Sequence, residues 1–206
     1  MRKILSISFI ALTSLVFAQK YTKDEVTFIN QGNIKELLPI YQTTEQHQHH
    51  ILLQKSNDVM AKNPTTKLLV GRMKRSLEST SGGVGIAAPQ VGVNRNVILV
   101  KRFDKEGTPI EYFLNPVILW KSQIQNLGPE GDLSIPIFRE QFYRSKVIQL
   151  QYQDLKGKTH TEMVEGFTAV IFQHEIDHLF GILIEDKLKK EQHLQYHKID
   201  AYEKAK

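Results

Sequence analysis

Gln173-His174-Glu175-Ile176-Asp177-His178 is the stretch on which the reading of this chain turns. On an α-helix, residues four apart share a face one turn along. His174 and His178 can therefore hold one metal ion while Glu175, beside them, reaches a water bound to it. This is the His-Glu-x-x-His signature of a metallohydrolase. Two neutral imidazoles leave an ion under-coordinated, so it stays a Lewis acid able to lower the pKa of bound water towards neutrality. The same spacing also arises on solvated helix faces, so the hexapeptide alone points to a chemistry and not to a substrate.

Working outward, the motif helix is expected to run from about Gly166 to Gly181, a glycine suited to the position just past a C-terminus. Before it, Lys146 to Tyr152 alternates, Lys156-Gly157 turns and Thr159 to Val164 continues, the pattern of a hairpin with one dry face. Further back, Asn96 to Val100 reads as an apolar strand, Glu106-Gly107 as a turn, and Ile110 to Trp120 as a strand interrupted at Asn115-Pro116. Asn63-Pro64 looks like an N-cap with proline at the first helical position. Leu69, Met73 and Leu77 then recur at fourfold spacing up to Ser81-Gly82-Gly83, which places Arg72, Lys74 and Arg75 on a wet side. Tyr21 to Asn30 is weakly patterned and reads as a loose terminal segment. Gln46-His47-Gln48-His49-His50 has a metal-binding composition, but no carboxylate stands at ligand spacing, so a solvated surface is the expectation. Leu188 to Tyr202 reads as an amphipathic terminal helix. With no repeat and no linker, the economical fold is one α+β domain over residues 19–206, antiparallel sheets packed around a central metal-binding helix.

The chain has 206 residues, 41% hydrophobic and 24% charged, within the range of soluble globular domains. Its formal charge of +5 falls to +3 without Arg2 and Lys3, too little to argue for a nucleic-acid partner. Those two residues, the apolar run Ile4 to Phe17 and the small residue Ala18 before Gln19 together read as an export signal over residues 1–18. The run is shorter than the roughly 20 residues a spanning helix needs. Cleavage, export to a periplasmic or secreted location and no stable membrane insertion afterwards are therefore expected. The chain contains no cysteine, which removes disulfides and any thiolate ligand.

A single-metal hydrolase also needs a third ligand and donors for an oxyanion. Two stretches offer them. In Gly83-Val84-Gly85-Ile86-Ala87-Ala88-Pro89-Gln90, small residues let backbone approach a ligand and Gln90 adds an amide donor. In Glu130-Gly131-Asp132-Leu133-Ser134, a carboxylate stands next to a flexible glycine. At these three stretches the chain resembles the peptide deformylase family, marked by Gly-x-Gly-x-Ala-Ala-x-Gln, Glu-Gly-Cys-x-Ser and Gln-His-Glu-x-Asp-His in that order. The first and third motifs are complete. The second departs at Asp132, where the family places a metal-binding cysteine.

The resemblance implies that Asp132, His174 and His178 hold one divalent ion, Fe2+ or Zn2+, and that Glu175 is the general acid/base. It further implies that the Gln90 side chain and the Leu133 backbone amide stabilise the oxyanion formed when water attacks an N-formyl peptide. Val84, Gly85, Phe167 and Val170 are candidates to line the pocket for the side chain after the formyl group, which in the family is usually methionine, and Arg139 is a candidate to face substrate. Arg144 resembles an arginine that pairs with the motif aspartate, here Asp177. The expected partner is an N-formylated or otherwise acylated peptide. Because formyl groups are added in the cytoplasm and the chain carries an export signal, two alternatives stay open: an exported metallo-amidase or peptidase with another acyl substrate, and a non-catalytic peptide-binding relative.

Overall fold

The computed structural model describes residues 20–188. The export signal and nearly all of the segment Leu188 to Tyr202 lie outside the described residues. Among the described residues, helices α1 (Lys23–Asn30), α2 (Gln46–Leu52), α3 (Pro64–Glu78) and α4 (Gly166–Leu179) accompany the strands of two sheets. The strands are β1 (Gly85–Ala87), β2 (Val97–Lys101), β3 (Ile110–Lys121), β4 (Gln125–Asp132), β5 (Ile135–Ser145), β6 (Val147–Gln153) and β7 (Thr159–Glu165). A five-stranded antiparallel sheet has the order β1-β2-β3-β6-β7, and β4 pairs with β5 as a separate ribbon.

The sheet is covered on both faces, and β2 shows why its sequence does not alternate. Side chains of successive strand residues point to opposite faces. Ile98 and Val100 join Ala87, Phe113, Ile148 and Leu150 beneath α4, whereas Val97 and Leu99 join Ile86 and the Leu69, Met73 and Leu77 stripe of α3. A strand buried on two faces reads as a continuous apolar run. In β6 and β7 the residues facing α4 (Ile148, Leu150 and Val164) are fully buried, as the hairpin pattern anticipated. Phe172 on α4 is wholly buried against them, a burial worth about 1.5–3 kcal/mol.

Two local readings are corrected and a third is given its form. Tyr21 to Asn30 is not loose: α1 starts with a reciprocal cap in which Thr22 and Glu25 each satisfy the other's backbone N–H. Arg72 is not on the wet side of α3. Its guanidinium is buried and donates to the carbonyls of Phe28, Ile29, Glu36 and Leu37, because the last turn of α1 and the irregular chain after it have backbone acceptors that no helix or ladder satisfies. The interruption expected at Asn115-Pro116 is present. It forms a register shift within β3, with Asn115 at φ 49° and its side-chain amide bonded to both the N–H and the carbonyl of Val59.

The C-terminal end of α4 is fixed by backbone proximity. At Gly181, φ is 68°, and a Cβ there would lie 2.2 Å from the carbonyl oxygen of Leu53. The N–H of Ser56 reaches the carbonyl of Leu179 at 2.8 Å. These contacts clamp the last turn of α4, and with it His178, against the end of α2.

Candidate active site

Helix α4 carries the motif between the sheet and the β4–β5 ribbon. Gln173 anchors it to the end of β5: its side-chain Oε1 accepts from Ser145 N at 3.1 Å and its Nε2 donates to Ser145 O at 2.9 Å. The next residue, His174, is thereby brought beside β4. Alternation along β4 puts Glu130 and Asp132 on one side of the ribbon. Glu130 Oε2 lies 3.0 Å from His174 Nδ1, and Asp132 Oδ2 lies 3.3 Å from His178 Nε2.

A buried ion-pair network holds this arrangement. Arg144, from β5, grips both oxygens of Glu130 at 2.7 and 2.8 Å and donates to Asp177 Oδ2 at 2.5 Å. Burial pushes the Glu130 carboxyl up, but the hydrogen bonds and charges of Arg144 and His174 outweigh it and hold the group down to about 2. An ionised carboxylate at Nδ1 draws that nitrogen's proton and leaves Nε2 as the electron-pair donor of His174. Burial alone would lower the His174 pKa, yet the hydrogen bond to Glu130 and the surrounding carboxylates raise it to about 9. That proton is one a cation must displace on binding.

His178 behaves oppositely. Burial outweighs the charge of Asp132 and brings its pKa down to about 4, so its ring is neutral at ordinary pH. Its approach to Asp132 is therefore not an ion pair. Among the described residues, Asp132 Oδ2, Glu175 Oε2 and both ring nitrogens of His178 are buried without a hydrogen-bond partner. Ligand atoms of Asp132, His174 and His178 all lie within 4.8 Å of one another. Buried polar atoms gathered at one point without hydrogen-bond partners are unfavourable unless a cation joins them. The donor set thus fits a divalent metal.

Glu175 sits at the same point. Burial, only partly offset by the His174 ring, pushes its carboxyl up to about 8. Its place depends on Gly85: a Cβ there would lie 2.3 Å from Glu175 Oε1 and 2.8 Å from Ile171 Cγ2. Gly85 was expected to face substrate, and it does line the cavity, but it also makes room for the glutamate. Gly85→Ala is expected to displace the Glu175 carboxylate and slow hydrolysis at this site about 10–100-fold. Bound metal per chain, measured by elemental analysis, should stay unchanged.

The site opens into a cavity of about 510 Å³. Val84, Phe167 and Val170 line its apolar wall, Gln90 and Leu133 lie at its polar end, and Arg139 is exposed at its rim. Gln90 is fixed by its own turn: Oε1 accepts from Ala87 N at 2.9 Å, and Nε2 donates to Asp132 Oδ1 at 3.0 Å. One of its two amide hydrogens is therefore already engaged. Sequence reasoning missed Glu130 as the partner of His174. Its signal was the two-residue spacing from Asp132, which in a strand means the same face.

A buried helix presenting His-Glu-x-x-His to a carboxylate from an adjoining ribbon, on the floor of a cavity with an apolar wall and a polar end, defines a metal-dependent hydrolase. Comparison with known proteins narrows the class. Residues 41–193 match the family described as Polypeptide deformylase. This chain belongs to the peptide deformylase family. It is 39% identical over 142 residues to a peptide deformylase of Desulforudis audaxviator (strain MP104C), covering 69% of this chain and 90% of the relative. Its fold is similar to the Met-Ala-Ser-bound class I type b peptide deformylase of Acinetobacter baumannii, with TM-score 0.65 and 33% identity over 74% of this chain and 98% of that one. The peptide deformylase of Thermotoga maritima is similar at TM-score 0.66 and 31% identity, over 73% of this chain and 97% of that one.

Proposed function

We propose that this chain carries out its family's reaction, hydrolysis of the N-formyl group of formyl-methionyl peptides with release of formate, using Asp132, His174 and His178 to hold one divalent ion. The carrying observation is the cluster of buried, partnerless electron-pair donors formed by Asp132 and His178 beside Glu175. Fe2+ and Zn2+ both suit two imidazoles and one carboxylate. When bound, the ion supplies Lewis acidity and lowers the pKa of water.

The chain's own groups do the rest. Glu175 Oε2 takes a proton from the attacking water as its oxygen bonds to the formyl carbon. It then delivers that proton to the peptide nitrogen as the C–N bond breaks. The remaining Nε2 hydrogen of Gln90 and the Leu133 N–H donate to the oxyanion. Val84, Phe167 and Val170 receive the first side chain and exclude water, and Arg139 at the rim faces the peptide beyond it. The Met-Ala-Ser peptide bound by the Acinetobacter baumannii relative supports a peptide in this cavity.

The test is formate release from a formyl-Met peptide by chain purified without air exposure. Removing metal with a chelator should abolish release, and adding back Fe2+ or Zn2+ should restore it. Full activity in metal-free protein would sink the assignment.

We also propose that residues 1–18 direct export and are removed. The support is the positive start, the apolar run and Ala18. Among the described residues, no helix is long and apolar enough to cross a membrane. Cell fractionation with N-terminal sequencing should find a chain that starts at Gln19 outside the cytoplasm. An intact cytoplasmic chain would defeat the proposal.

A further inference from the structure

Asp132 does not present its two oxygens equally. Oδ1 accepts two hydrogen bonds, from Gln90 Nε2 at 3.0 Å and from Ser134 N at 2.8 Å. Oδ2 accepts none and faces His178 Nε2, in a side chain with 0% exposure. The Gln90 amide cannot turn over to relax this, because its Oε1 is held by the Ala87 N–H. It is also nearly inaccessible at 1% exposure and sits in a tight 3-10 turn, Ala88–Val91, closed by Gly92 at φ 83°.

We propose that Gln90 is a positioning residue for the cation, acting through Asp132, in addition to any contact it makes with substrate. By holding Oδ1, Gln90 and the Ser134 N–H present Oδ2 alone, so Asp132 serves as a one-oxygen ligand. The inference rests on the reading of Asp132 as a metal ligand. A carboxylate free to swing would offer both oxygens to a bound ion. With Oδ1 anchored, Asp132 would hold the ion through one atom, as a thiolate would. The same amide plane then links two tasks, because one Nε2 hydrogen fixes the ligand while the other points away from it. Loss of the amide should therefore affect ion binding as well as turnover, but only when position 132 is a carboxylate.

The test measures Zn2+ affinity by competition with a chromophoric chelator for the mature chain and for Gln90→Met, Asp132→Ala, Asp132→Cys and the Gln90→Met/Asp132→Cys double variant. Methionine keeps the volume of glutamine and removes the donor. Gln90→Met is expected to weaken Zn2+ binding roughly 10–100-fold, as loss of a partner to a ligand typically does. In the Asp132→Cys background, which has no Oδ1 to hold, the same change should leave Zn2+ affinity unaltered within error. The absorption of the Co2+-loaded protein gives a second readout. Its visible bands should weaken in Gln90→Met as the released carboxylate raises the coordination number. Equal losses in both backgrounds, or an unchanged affinity in the Asp132 chain, would overturn the proposal. Asp132→Ala separates the two readings: if it leaves Zn2+ affinity intact, the ligand assignment itself fails, whereas a large effect there with none from Gln90→Met sinks only the positioning role. Should Gln90→Met fold poorly, Gln90→Glu tests the same point, since a carboxylate facing Oδ1 repels it and should also weaken Zn2+ binding only when Asp132 is present.

Discussion

Replacing Glu175 with glutamine is expected to leave a folded protein with its full complement of metal that releases formate about 10²–10⁴-fold more slowly. Glutamine has the shape of the glutamate and fits the space left by Gly85, but it cannot accept and return a proton. The buried carboxyl, pushed up to about 8, holds a proton with an affinity suited to transfer near neutral pH. A cation beside it favours the ionised form and brings it into the role of base. The measurement pairs kcat for a formyl-Met peptide with metal content. If the variant keeps activity within about tenfold while retaining its metal, Glu175 does not carry the proton, since general acid–base catalysis contributes more than that.

The second large effect is on stability. Arg144→Met should destabilise the fold by about 3–5 kcal/mol, because it takes the two-pronged guanidinium from the buried carboxylate of Glu130, leaving it only His174, and leaves Asp177 only Lys187. Chemical denaturation of metal-free protein measures this without interference from ligand binding. The pH dependence adds a sign. Glu130 has its pKa lowered from 4.5 to about 2 in the folded chain, so its contribution is present above pH 4.5 and is lost as pH falls through about 2. The Arg144→Met variant should lack most of that acid-dependent loss. A stability within about 1 kcal/mol of wild type would mean that Glu130 and Asp177 find other partners, contrary to the cost of an unpaired buried charge.

The parts of this architecture that were legible in the sequence are those written in local periodicity. The α3 stripe, the β6–β7 hairpin and the extent of α4 follow from spacing over a few residues. So did the family, through three short motifs. Arg72 was not legible in the same way: the residues that bury it lie more than thirty positions upstream, and helical spacing says nothing about which carbonyls will cross above. The start of α1 was legible in principle, since Thr22 and Glu25 stand at capping-box spacing, but a short helix with little apolar patterning is easily passed over. The pairing of Glu130 with His174 needed both strand phase and the docking of Gln173 on Ser145. The division of labour between the oxygens of Asp132 depends on the orientation of one amide, which no residue pattern records.

The carboxylate at position 132 also bears on oxidation. A thiolate ligand can pass to sulfenic, then sulfinic, then sulfonic acid, and the later steps remove it as a ligand for good. Asp132, His174 and His178 contain no sulfur, and the chain has no cysteine elsewhere to exchange with a disulfide. Oxidants therefore have no sulfur atom in the proposed ligand set to attack, and any loss of function on exposure to peroxide must come from the ion or from another part of the chain.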